Sequence, residues 1–437
     1  MSKSLGIYHE LKLPINSHNY DELIVVIVGN VDSGKSSLCG ILSHPLLTGC
    51  DVDIRTIPTI LDDGNGLSRA RVLTLQHEKT SGRTSSISYN YMLFNESIER
   101  PRIVSLVDLA GHEQYLKTTI TGIISSYPEY GLVVISKNIT HITQEHYSIL
   151  ASLEIPILFV LTKIDLHSKK TIDENINRIT MMSNRFGKSL IEVVDNDSIS
   201  KCINDDKLFG FVRISNKTGE GLSTIIEYIR NIKQIKKQII DGFAVDNVFF
   251  NIAGFGIVVS GINGTTIKKG DNMFIGPTKT NTFVRVKIRS IHDDYRNLID
   301  VLNPGIRGCL CIKLDSSAKS LINLGMGCVI THNPNNIGST KHFEAEISIF
   351  RGKSSNIKVG YNSYINIGLN RGAIKFTRIR NKNTGADIEF INNLQPTLVD
   401  IEFMSKYACI NVNDKFVFRS HRIHGLGCIT KLKDFTM

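Results

Sequence analysis

Between Leu23 and about Gln238 the apolar residues fall in unbroken, β-branched runs, LIVVIVG, IVSLVDL, YGLVVIS, PILFVLTKID and GFVRIS, with longer helical patterns between them. Continuous apolar runs alternating with helices predict a mostly parallel sheet covered on both faces. An Ile- and Lys-rich helix is expected around residues 224–238. Beyond it the texture changes to short alternating strands with Gly-Asn, Asn-Gly and Lys-Gly turns, as in VVSGINGTTIKKGDNMFIG. That pattern predicts all-β barrels. A second all-β stretch opens near Lys341 with HFEAEISIF and ends in FVFRSHRIHGLGCITKL, and the Asn-, Pro- and Gly-containing loop at 332–340 reads as the linker. The expected organisation is a short extension over 1–22, an α/β domain over 23–238, and β-barrels over 241–332 and 341–437.

Composition narrows the class. The chain of 437 residues is long enough for several cores. Its Lys+Arg count of 51 against 41 Asp+Glu gives a net charge of +10, a surplus that favours acidic partners such as RNA. No window offers the roughly 18 uninterrupted apolar residues of a membrane span, and MSKSLGIYHELKLPIN lacks the apolar centre of a signal peptide. The expectation is a monomer that stays in the cytoplasm and makes no membrane contact. Eight cysteines are too sparse for a secreted disulfide framework. Cys309 and Cys311 flank Leu310 in a strand-like run, so alternation puts both on one face, and their spacing is too tight for zinc. They read as structural thiols.

Gly29-Asn30-Val31-Asp32-Ser33-Gly34-Lys35-Ser36 fits G-x4-G-K-[ST], with Ser37 following, and lies between the strand LIVVIV and a predicted helix. There the backbone N–H groups can wrap a β-phosphate, Lys35 can reach the β- and γ-phosphates, and Ser36 can ligate magnesium. Asp108-Leu109-Ala110-Gly111 closes the strand IVSLV, on the ligand side of an open α/β sheet. From there Asp108 can hold the same metal through water while the Gly111 N–H meets the γ-phosphate. Thr162-Lys163-Ile164-Asp165 ends the strand PILFVL and is similar to the N-K-x-D guanine motif, with Thr in place of Asn. The Asp165 carboxylate can accept from the N1–H and N2 amino groups of guanine, a pair that adenine lacks. Lys163 can pack over the base, and Ser215-Asn216-Lys217 fits the loop that meets the guanine oxygen.

GNVDSGKSS, HEKTSGRTSS, DLAGHEQYLKTT, TKID and ISNKTGEGL, followed by GIVVSG, FIGP and FVFRSHRIHGLGCITKL, resemble the translational GTPases of the elongation factor Tu type, above all the group named GTP-binding protein one and two. The resemblance implies a P-loop G domain followed by two barrels, with GTP/GDP and Mg2+ as cofactors. It makes His112 the catalytic residue that orients the attacking water. Thr84 becomes the second hydroxyl ligand of magnesium, with Ser85 and Ser86 as substitutes, and Asp32 a ligand for a monovalent cation such as K+. Arg83 stands where such factors carry an apolar gate residue, the other gate position aligning with Val31; the Arg can instead place charge on the γ-phosphate, or face RNA. In tRNA-carrying relatives the aminoacyl end docks beside the first barrel, near the position of Asp246-Asn247. The last barrel touches the tRNA stem, which nominates Arg419, Arg422 and Lys431 as phosphate contacts.

The implied function is delivery of aminoacyl-tRNA or a related RNA to the ribosome, driven by hydrolysis of GTP to GDP. Two alternatives stay open at this point. One is a ribosome-rescue, quality-control or RNA-decay GTPase; the other is a nucleotide-gated binding module with little hydrolysis.

Overall fold

A computed structural model describes residues 21–44, 61–62, 67–73, 78, 84–94, 102–235, 239–252, 254–294, 297–314, 324–351, 357–391, 397–420 and 424–433. The chain divides into two compact units, Met1–Ile235 and Lys236–Met437.

The first unit is the expected α/β domain. Its strands are β1 (Asp21–Gly29), β2 (Ser88–Phe94), β3 (Arg102–Asp108), β4 (Tyr130–Ile135), β5 (Ile157–Leu161), β6 (Ser189–Glu192) and β7 (Leu208–Arg213). They form one sheet in the order β2-β3-β1-β4-β5-β7-β6. All neighbours are parallel except β2, which runs antiparallel to β3. The apolar runs occupy the central strands because those strands are covered on both faces: Leu23 to Val28 are at most 1 % exposed. The helices are α1 (Lys35–Leu42), α2 (Leu67–Val72), α3 (Leu116–Ser126), α4 (His141–Ser152), α5 (Lys169–Asn184), α6 (Asn196–Asn204) and α7 (Leu222–Asn231).

Connections leave β1 in both directions along the sheet, so the carboxyl ends of β1 and β3 flank the point where strand order reverses. Open α/β sheets bind ligands in that crevice. Registers Ile27 to Asp108 and Gly29 to Val134 bring the end of β1 level with its neighbours.

The last helix ends at Asn231, short of the extent expected from the Ile/Lys pattern. Ile232 turns extended at φ −59° and ψ 145°. The Arg102 guanidinium donates to the carbonyls of Arg230 at 2.5 Å and Ile232 at 3.2 Å. A side chain from β3 thereby satisfies carbonyls that the helix end leaves orphaned, a tertiary stop invisible to periodicity.

The second unit contains two closed, six-stranded antiparallel barrels, in keeping with the expected fold class. The first barrel uses β8 (Phe243–Ile252), β9 (Gly256–Asn263), β10 (Asn272–Gly276), β11 (Val284–Asp293), β12 (Arg307–Leu314) and β13 (Val329–Thr331). Pairing of β10 with β11 closes it. The second uses β14 (His342–Arg351), β15 (Asn362–Ile367), β16 (Asn370–Asn381), β17 (Thr397–Phe403), β18 (Lys415–Arg419) and β19 (His424–Lys433). Each barrel is filled by its own cluster, one around Phe243, Ile288 and Leu310, the other around Phe343, Phe376, Phe403, Phe416 and Phe418. Leu310 points into the core, which leaves Cys309, partly exposed, and Cys311, buried, together on the opposite face of β12; neither forms a disulfide.

Candidate nucleotide and metal site

The loop after β1 curls because two of its glycines adopt conformations closed to other residues: φ is 147° at Gly29 and 90° at Gly34. A Cβ on Gly29 would lie 2.2 Å from the Val134 carbonyl. Ser33 Oγ donates to the Asn30 carbonyl at 2.9 Å, and Lys35 Nζ donates to the same oxygen at 2.6 Å. The ammonium thus spans the loop mouth. Lys35 is 6 % exposed; burial depresses its amine, and the charges of Asp108 and Asp32 oppose that shift.

Asp108, wholly buried at the end of β3, faces the first turn of α1. Its Oδ2 accepts from Ser36 Oγ at 2.7 Å and from Thr84 Oγ1 at 3.3 Å, and the two hydroxyls are 2.9 Å apart. Burial pushes the Asp108 carboxyl up, while the Lys35 charge and these two hydrogen bonds pull it down. Two observations test whether the group implied here fits. Asp108 Oδ1 has no hydrogen-bond partner among the described residues although no solvent reaches it. Gly111 lies so near the loop that a Cβ would come within 2.6 Å of both the Gly29 carbonyl and Lys35 Nζ. An all-oxygen donor set with an orphaned buried carboxylate oxygen suits a hard cation such as Mg2+, and the glycine cradle suits a phosphate held against backbone N–H groups.

His112 follows directly and caps a 3-10 turn, Glu113–Tyr115, its Nδ1 accepting from the Gln114 N–H at 3.1 Å. With Nδ1 as acceptor, the neutral ring carries its proton on Nε2. The half-buried imidazole therefore presents a donor.

The loops after β5 and β7 are bonded to the phosphate loop. Thr162 Oγ1 donates to the Ser33 carbonyl at 2.6 Å, Asn216 Nδ2 to the Gly34 carbonyl at 3.2 Å, and Lys163 Nζ to the Asp32 carbonyl at 2.8 Å. Thr162, where the motif has Asn, still tethers the phosphate loop through its hydroxyl. Lys163 holds φ at 58°, a conformation disfavoured without a glycine and characteristic of functional turns. Asp165 is exposed, with Oδ1 accepting from Ser215 Oγ at 2.6 Å. The same hydroxyl accepts from the N–H groups of Lys217 at 3.2 Å and Thr218 at 3.0 Å, which orients the carboxylate while leaving its other oxygen for a ligand.

Not every nominated residue joins this cluster. Val31 is half-buried and the Lys217 side chain exposed. Arg83 and Arg422 lie outside the described residues. Asp246 is 6 % exposed, accepting from Ser260 at 2.5 Å and paired with Arg307 inside its own unit. Arg419 is half-buried and Lys431 exposed on the second barrel.

One residue was not singled out from sequence. Glu78 is 1 % exposed, and its Oε1 accepts from Ser85 N at 2.8 Å, Ser85 Oγ at 2.9 Å, Ser86 N at 3.0 Å and Ser86 Oγ at 2.8 Å. The only signal was its place in HEKTSGRTSS, six residues before Thr84.

A phosphate loop, an acidic strand end and a guanine-type carboxylate define a candidate guanine-nucleotide site, on a chain that also carries two closed barrels. Residues 21–234 match the family model "Elongation factor Tu GTP binding domain". Over those residues the chain carries the GTP-binding domain of that family. It is 26 % identical over 456 residues to GTP-binding protein 1 of Xenopus laevis, a match covering 97 % of this chain and 65 % of that protein. The chain thus spans a little under two thirds of that relative's length. Among solved structures it is similar to the elongation factor SelB of Methanococcus maripaludis in complex with a GTP analogue, with TM-score 0.62, 18 % identity, and 96 % and 81 % of the two chains covered. It is also similar to the S. cerevisiae Ski7 GTPase-like domain bound to GTP, with TM-score 0.67, 18 % identity, and 94 % and 98 % covered. Both likenesses concern the fold.

Proposed function

We propose that this chain is a Mg-dependent GTPase that hydrolyses GTP to GDP, and that its GTP form holds aminoacyl-tRNA or a related RNA and acts on the ribosome. The observation that carries the reading is the meeting of Ser36, Thr84 and Asp108 within hydrogen-bond distance, on a loop system bonded to the guanine-type carboxylate of Asp165. The Ser36 and Thr84 hydroxyls and the Asp108 carboxylate would hold the metal. When bound, magnesium would neutralise charge developing on the phosphates. Lys35 exchanges its contact with the Asn30 carbonyl for the β- and γ-phosphates. The Gly111 N–H meets the γ-phosphate, and loss of that phosphate releases the segments that carry Gly111 and Thr84. His112 donates through Nε2 to orient the attacking water and to stabilise charge, consistent with a loose phosphoryl-transfer transition state.

Calorimetry with GTP and GDP, with and without Mg2+, tests nucleotide binding; no tight Mg-dependent uptake of either sinks the reading. GTP turnover with and without purified ribosomes tests the translation role, and turnover indifferent to ribosomes counts against it. A second reading keeps the GTPase but drops tRNA delivery, in favour of ribosome rescue or RNA quality control. It is supported by 23 % identity over 393 residues, 83 % of this chain, to the eukaryotic peptide chain release factor GTP-binding subunit of Candida maltosa. Filter binding of charged and uncharged tRNA with GTP and with GDP separates the two: equal retention in all four cases excludes delivery.

A further inference from the structure

We propose that Glu78 is a positioning residue: its buried carboxylate clasps Ser85 and Ser86, and so sets Thr84 against Ser36 and Asp108 in the triphosphate state. The proposal rests on the guanine-nucleotide reading above and adds to it a residue that acts through the segment carrying Thr84.

A carboxylate at 1 % exposure is costly unless its charge is met by hydrogen bonds. Glu78 accepts from two backbone N–H groups and two hydroxyls of the two residues after Thr84. These four bonds tie the segment after Thr84 to one buried carboxylate oxygen, and in that arrangement the Thr84 hydroxyl reaches Ser36 at 2.9 Å. A ligand that favours Thr84 at the metal position therefore selects the clasped form. The negative charge of Glu78 also reaches Asp108, whose carboxyl it pushes upward, and Lys35 opposes that effect. GDP has no terminal phosphate to bring Thr84 in, so the clasp contributes to triphosphate binding and not to diphosphate binding.

The test uses the full chain and the variants Glu78→Ala and Glu78→Gln, with Mg2+ present throughout. Affinities for GDP and for a non-hydrolysable GTP analogue are measured by calorimetry, and amide hydrogen exchange is followed in the peptide spanning 84–94. For Glu78→Ala the expected result is a loss of about 10- to 100-fold in analogue affinity, from removal of charge-assisted bonds, with GDP affinity held within about twofold. Exchange at 84–86 in the analogue-bound form should rise together with that loss. Glu78→Gln keeps an acceptor without the charge and should lie between; it carries the comparison if the alanine variant does not fold, and retained GDP affinity reports an intact domain. Equal losses for both nucleotides, or unchanged analogue affinity and exchange, would overturn the assignment. If wild type binds neither nucleotide, the guanine-nucleotide reading itself fails, an outcome distinct from equal binding by wild type and variant.

Discussion

His112 follows the end of β3 and Asp165 the end of β5, and their proposed roles call for separate measurements. Replacing His112 with Ala removes a ring that touches no protein group critical to nucleotide binding, so nucleotide affinity should stay and turnover with ribosomes should fall by about 100-fold or more. Unchanged turnover would remove the catalytic assignment. Asp165→Asn should move preference from guanine to xanthosine nucleotides, because the amide can donate to the oxygen that xanthine carries where guanine has its amino group. The expected loss of GTP affinity is about 100-fold or more, since a site built to pair polar groups strongly penalises a mismatch, and competition with xanthosine triphosphate reads it directly. Ser36, Asp108, Thr162 and Asp165 were legible in the sequence because loops at strand ends have fixed spacing and few chemical options. Glu78 was not. An isolated Glu among Lys, Thr and Ser reads as a solvated surface charge until the fold shows four donors converging on it.

At the scale of the element, the phosphate site depends on how closely the ends of β1 and β3 approach. Gly111→Ala would place a methyl 2.6 Å from both the Gly29 carbonyl and Lys35 Nζ, and 2.7 Å from the Asn30 carbonyl carbon. Backbone atoms cannot yield as a side chain can, so the loop after β3 must back away from the phosphate loop. Affinity for a GTP analogue should drop by about tenfold or more while GDP, with no γ-phosphate to meet Gly111, changes little; a calorimetric pair of titrations decides it. Gly221, at the start of α7, obeys a different logic: φ is 71° and a Cβ would sit 2.0 Å from the Arg213 carbonyl. Its replacement by Ala should destabilise the domain by about 2 kcal/mol or more without selecting between nucleotides, as a denaturant titration of the G domain transition would register. The strands and most helices of this domain follow from apolar periodicity. The early end of α7 does not, because the groups that satisfy its last carbonyls come from Arg102 on a distant strand.

For the molecule as a whole, separate cores in the two units mean that unfolding need not be a single transition, and pH should pull the units apart. His146 on α4 is fully buried, neither ring nitrogen has a hydrogen-bond partner among the described residues, and burial aided by the Lys35 charge pushes its pKa down from 6.5 to about 3. A depressed folded value means that the unfolded chain takes the proton first. The stabilisation is therefore whole above pH 6.5 and lost on acidification from there toward 3, at about 1.4 kcal/mol per pH unit. Asp414 in the second unit works in the opposite sense: burial raises its carboxyl from 3.8 to about 6, against the pull of the Asn411 N–H. A raised folded value gives stabilisation that is whole below 3.8 and fades as pH climbs through 6, so acidification strengthens that barrel over the range in which the G domain weakens. Calorimetric scans between pH 6.5 and 4.5 should show the G domain transition moving to lower temperature while that of the barrels does not fall with it. Asp108, also raised by burial, opposes His146 within the G domain, so the decisive comparison is with His146→Leu. That variant exchanges two unsatisfied ring nitrogens for apolar volume and should flatten the acid slope of the first transition alone. An acid slope identical to wild type would show that the buried imidazole is not what makes the G domain acid-sensitive.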